Sequence, residues 1–410
     1  MAATTTRTFG SEPRGQWLLS LAAACAAPGV LHAQPSLPPV TPQFAHVQWL
    51  VPAAASNIRQ TAAEEEMGRR MGRALPRAEI LQPTLDIELA SFRPRCDQRL
   101  AGSLTVAVSD TLPALMRLWI QAFRIHYPDV DIGVAPVYDG NFAAQELLKG
   151  NVGIAFLSRA LKSDETAGFR SRFGYDPSTA VVSAGSWRHF GFADALGILV
   201  HKDNPLERIT YGELDAIYSS TRRRGGEPIT RWGQLGLKGE WAERPVHAYG
   251  IKPWDGFEDL VRQKILSVGG ERGEWRADVR HEGVFPMARR IAQDPGAIGY
   301  TGLAYIDADV RVLPIGEGPT GPFHAPTYEN VADARYPLSR TVYANANNPP
   351  DKPLDPVIEE FLRFILSRDG QQVVRDHAIF LPLRGWQVVA ARSALLFERP
   401  GDCRFSKDRQ

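Results

Sequence analysis

From residue 101 onward the apolar positions switch repeatedly between a two-residue and a 3.6-residue period. SLTVAV (103–108) alternates as a half-buried strand does, and beyond Ser109-Asp110-Thr111 the residues Leu112, Leu115, Met116, Trp119 and Phe123 fall on one helix face. The unit recurs as DIGVAPV, the polar turn Tyr138-Asp139-Gly140-Asn141 and the short helix FAAQELLKG, followed by VGIAFL, which ends in Ser158-Arg159. Strands alternating with helices predict an α/β protein with mostly parallel sheets flanked by helices. Ligands of such sheets gather at the carboxyl ends of the strands, which is where these polar turns fall.

A second series follows. ALGILVHKDNP (195–205) is a strand running into a charged turn, and Thr210-x-x-Glu213 is a capping box that opens a helix. Phe257, Leu260, Val261, Ile265 and Val268 predict one helix over 257–268, and AIGYTGLAYI (297–306) predicts a further strand. After a Gly/Pro-rich patch at 314–326, RTVYANA reads as a strand and LDPVIEEFLRFILSRDGQQVV as a single amphipathic helix. The expected organisation is a signal peptide (1–33), an N-terminal extension (34–100), a first lobe (101–198), a second lobe (199–338), a return to the first lobe (339–395) and a C-terminal tail (396–410).

With 410 residues, 44% of them hydrophobic and 23% charged, the chain can bury a large core, and its net charge of +1 supplies no bulk field for nucleic acid or anionic lipid. Arg7 and Arg14 precede the apolar stretch WLLSLAAACAA, too short to span a bilayer and suited to a secretory leader, which predicts export to the periplasm. Ala22-Ala23-Ala24-Cys25 resembles a weak lipoprotein box. No other apolar run reaches spanning length, so a protein not integral to the membrane is expected. Cys96 and Cys403 form an even pair in an oxidising compartment, where a disulfide between them and two free thiols carry equal weight. The histidines show no metal-ligand spacing, and none of the sequence signatures of nucleophilic, phosphate-loop or zinc-protease chemistry occurs, so neither an enzyme nor a cofactor is expected.

The order of several motifs resembles the periplasmic phosphate-binding proteins of ABC uptake systems, the PstS-like branch of the type II solute-binding fold. These are GSLTVAVSDTL (102–112), Leu157-Ser158-Arg159, LGILVHKDNPL (196–206), LDAIYSSTRR (214–223), WGQLGLKGEWAERPVHAYG (232–250), AIGYTGLAY (297–305) and PLDPVIEEFLRFILSRDGQQVV (353–374). The resemblance implies two α/β lobes joined by two crossover strands and closing over a ligand. It also implies an anion pocket built from a Ser/Thr turn after the first strand, a Ser-rich turn after the second, a polar residue after the third, and an Arg-x-x-x-Ser-Gly-Thr loop of the second lobe. Ser109, Asp110 and Thr111 correspond to the first turn, and Ser158 with Arg159 to the third. The second reads Asp139-Gly140-Asn141, and the loop carries Ile251 in place of Arg, Asp255 in place of Ser, the retained Gly256, and Phe257 in place of Thr.

Loss of a guanidinium removes the strongest class of anion contact, and an added carboxylate repels phosphate. Lys252 is a nearby replacement cation, with His247 and Lys202 behind it, and Trp254 could stack on a ligand. Asp255 reads first as the cap of the helix that follows it, ahead of a dedicated ligand contact. The expectation is a periplasmic substrate-binding protein with a substituted pocket, whose ligand is phosphate, another oxyanion, or a cationic or neutral polar solute. It would be monomeric and deliver that solute to an ABC permease or sensor. The alternative is a bilobal interaction or sensory protein that has lost solute binding. The Arg222-Arg223-Arg224 run reads as a helix-terminal complement and solvated loop.

Overall fold

The computed structural model of the chain describes residues 85–95, 99–137, 141–253 and 255–395, with short pieces at 57–59, 65–66, 69 and 78–80. The expected leader, Cys25, Cys96, Cys403, the turn residues Asp139 and Gly140, and Trp254 lie outside the described residues, and so do the expected disulfide and lipid anchor. By its contacts the chain divides into Met1–Pro38 and Pro39–Gln410, and everything below concerns the second unit.

The predicted strand at 103–108 is Gly102–Val108, paired in parallel with Val130–Val134 on one side and Ile154–Leu157 on the other. Its alternation divides two apolar layers. Val106, Val108, Ile154 and Phe156 face a large core with Trp119, Phe123, Phe361 and Phe364, while Ala107, Ala155 and Leu157 pack against Ala143, Leu147 and Phe169. The helix Pro113–Arg124 buries the side chains its period selected, and the Trp119 indole N–H donates to the Gly370 carbonyl at 2.9 Å. Thr341–Ala346 then enters antiparallel between Ile154–Leu157 and Ser178–Ala184, completing a five-stranded sheet.

The second sheet is built alike. His247–Ile251 runs parallel to Arg280–Glu282 and Ala297–Gly302, and Leu196–His201 lies antiparallel between Ala297–Gly302 and Val310–Leu313. Both sheets are therefore mixed, each with four mutually parallel strands and one antiparallel strand, Thr341–Ala346 in the first and Leu196–His201 in the second. The Thr210 capping box forms: its hydroxyl accepts the Glu213 N–H while the Glu213 carboxylate accepts the Thr210 N–H.

Two predicted helices are interrupted. The expected helix over 257–268 is α-helical only through Gly256–Val261 and widens to a π-turn over Arg262–Leu266, ending at Ser267. The Arg262 guanidinium is buried there, held by Glu258, Glu274 and the Gly273 carbonyl. The expected single helix over 354–374 is two, Pro356–Ile365 and Arg368–His377. Ser367 breaks it: its hydroxyl donates to the Phe364 carbonyl at 2.6 Å and accepts the Gly370 N–H at 3.2 Å, capping the second helix as the first ends. The apolar period alone runs through this break, because both helices bury the same side.

Two adjacent segments, 185–195 and 338–340, connect the sheets. The Gly185 N–H donates to the Arg340 carbonyl at 2.8 Å and the Leu196 N–H to the Leu338 carbonyl at 3.1 Å. A Cβ on Gly185 would lie 2.3 Å from the Ala193 carbonyl oxygen, so only glycine allows the backbones this close. Between the lobes lies a cleft of about 620 Å³.

Candidate functional site

The cleft is lined from the first lobe by Asp110, Thr111 and Ser158, from the second by Asp255, Gly256 and Phe257, and from the connecting segments by Asp194 and Arg340. The carboxyl ends of the first and third strands thus meet the loop after His247–Ile251, as the strand-end argument anticipates. Ser109 is buried directly behind this wall. Its Oγ lies 3.4 Å from Thr111 Oγ1 and Ser158 Oγ and accepts the Ser158 N–H at 3.3 Å, so three hydroxyls share one patch.

Asp255 caps its own helix. Its Oδ1 accepts the Phe257 N–H at 2.8 Å, and its backbone carbonyl accepts the Asp259 N–H at 2.9 Å. The carboxylate therefore occupies, from within the chain, a donor that an anion would otherwise meet. Gly256 follows it on the cleft wall. Phe257 is buried, edge-on to the Tyr305 ring at 5.4 Å, and Tyr305 stacks on Phe190 at 4.4 Å. Ile251 is a core residue of the second lobe at 1% exposure. A guanidinium placed at 251 would enter that core rather than the cleft.

The other predicted cations are committed elsewhere. Arg159 forks onto Glu165, with both N···O distances 2.7 Å, and also donates to Asn141 Oδ1 at 3.1 Å. Neither Arg159 nor Asn141 lines the cleft. Lys252 is exposed and likewise absent from the lining. His247 pairs with Asp294 at 2.8 Å, and Lys202 with Asp203 at 2.8 Å. Arg224 donates to the carbonyls of Lys264 and Ile265 at the end of the π-turn, and Arg223 pairs with Glu271, so the arginine run complements a helix end.

The guanidinium missing at position 251 has a counterpart that the loop motifs did not reveal, Arg340, which directly precedes the strand Thr341–Ala346 and lines the cleft. Its Nη2 lies 3.3 Å from the Ser158 carbonyl, its guanidinium stacks 5.0 Å above the Phe257 ring, and a Cβ added to Gly256 would come within 3.4 Å of it. It is partly buried and lines the cleft, with Asp194 and Asp255 as its nearest opposing charges. Asp194 is the second residue that sequence reasoning missed. It is 1% exposed, and its Oδ2 accepts the Ala304 N–H at 2.9 Å while Oδ1 has no hydrogen-bond partner among the described residues. Burial pushes its carboxyl up to about 7, against the pull of the Ala304 N–H and Arg340. Both residues occupy the connecting segments, where neither periodicity nor the loop motifs look. The available signal was a single charge at the edge of an apolar run, Asp194 before ALGILV and Arg340 before TVYANA.

Among the described residues no group of three potential ligands could hold a metal ion, and no helix is long and apolar enough to cross a membrane.

Two lobes around a polar cleft, joined by paired connecting segments, define a two-lobed solute-binding protein. Residues 94–369 match the PBP superfamily domain, and the chain belongs to this family, in its PstS-like phosphate-binding branch. It is 33% identical over 287 residues to the phosphate-binding protein PstS of Pseudomonas aeruginosa, covering 69% of this chain and 84% of that one. It is 23% identical to Protein SphX of Synechococcus elongatus over 78% of this chain and 89% of that one. Among solved structures it is similar to PstS from Borrelia burgdorferi (18% identity, 69% of this chain, 99% of that one, TM-score 0.46). It is also similar to an ABC-type phosphate transport receptor from Vibrio cholerae (18% identity, 68% and 100% coverage, TM-score 0.45). It is a binding protein and not an enzyme.

Proposed function

We propose that this chain is the periplasmic substrate-binding component of an ABC uptake system and that its cleft binds phosphate, or an oxyanion of the same shape. Arg340 supplies the positive charge that its second-lobe loop lacks. The single observation carrying this reading is the position of Arg340, whose guanidinium lines the cleft beside Ser158 and Asp255. A guanidinium in a cleft with low-dielectric walls, adjoining a patch of three hydroxyls, offers the paired donors that a tetrahedral oxyanion requires. The first-lobe expectations Ser109, Asp110, Thr111 and Ser158 fit this role as hydroxyl and backbone donors, and Gly256 allows close approach of the loop.

A second reading is favoured by the remaining charges: Asp110, Asp194 and Asp255 outnumber Arg340 on the lining, which suits an amine-bearing solute. Calorimetric titration of the purified protein with inorganic phosphate and, separately, with a panel of polyamines and basic amino acids decides between them. Micromolar or tighter phosphate affinity is expected. Binding of a cationic solute with none of phosphate supports the second reading, and binding of neither returns the protein to an interaction or sensory role.

A further inference from the structure

Asp194 sits at the junction of both lobes, and nothing in the pocket expected from the loop motifs uses it. It belongs to the connecting segment 185–195, bridges to Ser186, and follows Ala193, whose φ of +53° is a left-handed conformation that alanine seldom adopts. Gly302 leaves the room its carboxyl fills: a Cβ there would stand 2.3 Å from Oδ2 and 2.9 Å from Oδ1. The side chain is almost wholly buried, one oxygen is held by the Ala304 N–H, and the other, Oδ1, has no partner among the described residues while the residue lines the cleft. A buried carboxyl oxygen without a donor is unfavourable when ionised and becomes a free hydrogen-bond donor when protonated.

The charged and titratable groups around it are Arg340 and His189, with Tyr305, Asp255 and Asp110 further along the cleft wall. Arg340 donates to the Ser158 carbonyl and feels the charge of Asp194, so an ionised Asp194 and an anion in the cleft compete for the same positive charge. The two carboxylates Asp110 and Asp255 already oppose an anion, so a third ionised group would leave the lining strongly negative.

From this geometry we infer that Asp194 determines specificity by binding anion in its protonated form, Oδ1–H donating to the bound oxyanion while Arg340 is released to it. The inference rests on the oxyanion reading above. The proton comes from solvent, so anion binding is coupled to proton uptake wherever free Asp194 is ionised. Its resting protonation equilibrium near neutrality is consistent with this. The consequence is an affinity that weakens above pH 7 by up to about tenfold per pH unit beyond the change that phosphate's own ionisation produces.

The test compares the full chain with its Asp194→Asn variant, in which an amide keeps a donor and cannot titrate. Both are titrated with inorganic phosphate between pH 5.5 and 8.5 in buffers of different ionisation enthalpy. Phosphate's own ionisation enters both proteins equally, so the difference in protons taken up belongs to residue 194. At pH 8 the wild type is expected to take up close to one proton more than Asp194→Asn, and its affinity is expected to fall more steeply with pH. Equal proton uptake overturns the inference while leaving the oxyanion reading intact. Absence of phosphate binding by the wild type at every pH removes that reading and the inference with it. Should the Asn variant not fold, the 13C shift of the Asp194 carboxyl in the wild type reads the same coupling. A pKa that rises on adding phosphate is expected, and one that falls or stays fixed overturns the inference.

Discussion

Replacing Arg340 by glutamine tests where the cleft's positive charge comes from. The guanidinium is partly buried, stacked 5.0 Å over Phe257 and 3.3 Å from the Ser158 carbonyl, so it is held in place before ligand arrives. Removing one partner of a desolvated, hydrogen-bonded charge pair costs about 2–5 kcal/mol. At about 1.4 kcal/mol per decade that is a loss of affinity between roughly 30-fold and several thousand-fold. The upper part of this range applies, because the Asp110 and Asp255 carboxylates would then face phosphate with no cation among the described lining residues to offset them. Each carboxylate at contact distance opposes a unit charge by about 4 kcal/mol at an effective dielectric near 20, less for the half-exposed Asp255. Arg340→Lys keeps the charge but loses the planar fork and the stack, and should fall in between, weakening binding by roughly 10- to 100-fold. Calorimetry with phosphate measures both variants, and thermal melts establish that they are folded. A folded Arg340→Gln protein binding phosphate within threefold of wild type would refute the assignment of the anion charge to Arg340.

Three further outcomes follow from the same geometry. Asp255→Ser keeps an N-cap residue and removes a carboxylate from the lining, so phosphate should bind at least several-fold more tightly while stability, read by urea melts, changes by less than about 1 kcal/mol; weaker binding would show that the carboxylate assists the ligand. Asp194 binds its proton more tightly in the folded chain, with its pKa raised from 3.8 to about 7. Its contribution to stability is therefore greatest at acid pH and is lost as pH rises from about 4 to about 7, on the order of 4 kcal/mol in all. Denaturant melts of wild type and Asp194→Asn across that window should diverge in slope, and parallel curves would contradict the buried acid. Gly185→Ala, placing a methyl 2.3 Å from the Ala193 carbonyl, should pry the connecting segments apart and lower the melting temperature by more than 5 °C, or abolish soluble expression.

What the sequence disclosed and what it concealed divide along one physical line. Periodicity records burial on one face of a local element, so the strand Gly102–Val108, the helix Pro113–Arg124 and the Thr210 cap are legible from a few residues each. It is blind to breaks that keep the buried face. The two helices read as one over 354–374 both turn apolar side chains inward, and only the Ser367 hydroxyl, bonded to Phe364 and Gly370, ends one and starts the next. The π-turn after Val261 is concealed in the same way, since Ile265 stays buried whichever turn carries it. The site divides likewise. Asp110, Thr111, Ser158 and Asp255 lie in loops that directly follow strands readable from the sequence, whereas Arg340 reaches the cleft only because the chain returns to the first sheet.

That return accounts for a positively charged group on the cleft wall although the second-lobe loop carries no arginine. The loop after His247–Ile251 belongs to the second lobe, and Ile251 there now packs into that lobe's core. Arg340 instead starts an inner strand of the first sheet, beside Gly185 and adjoining Ser158. In the closure over a ligand that the family resemblance implies, a charge on the second-lobe loop would approach the first-lobe hydroxyls only as the lobes close. A charge on the connecting segment stays beside Ser158 in either arrangement, because the strand that follows it is fixed in the same sheet as Ile154–Leu157. The guanidinium is thus tied to one half of the ligand's donors in advance of closure, and less ordering is left for binding to accomplish. Asp255, with its carboxylate already bonded to the Phe257 N–H, then meets an anion positioned by the opposite wall. Its repulsion would act on closure more than on first encounter. Accordingly, Asp255→Ser should change the phosphate dissociation rate more than the association rate, and stopped-flow fluorescence can separate the two; an effect confined to association would mean that the loop makes the first contact.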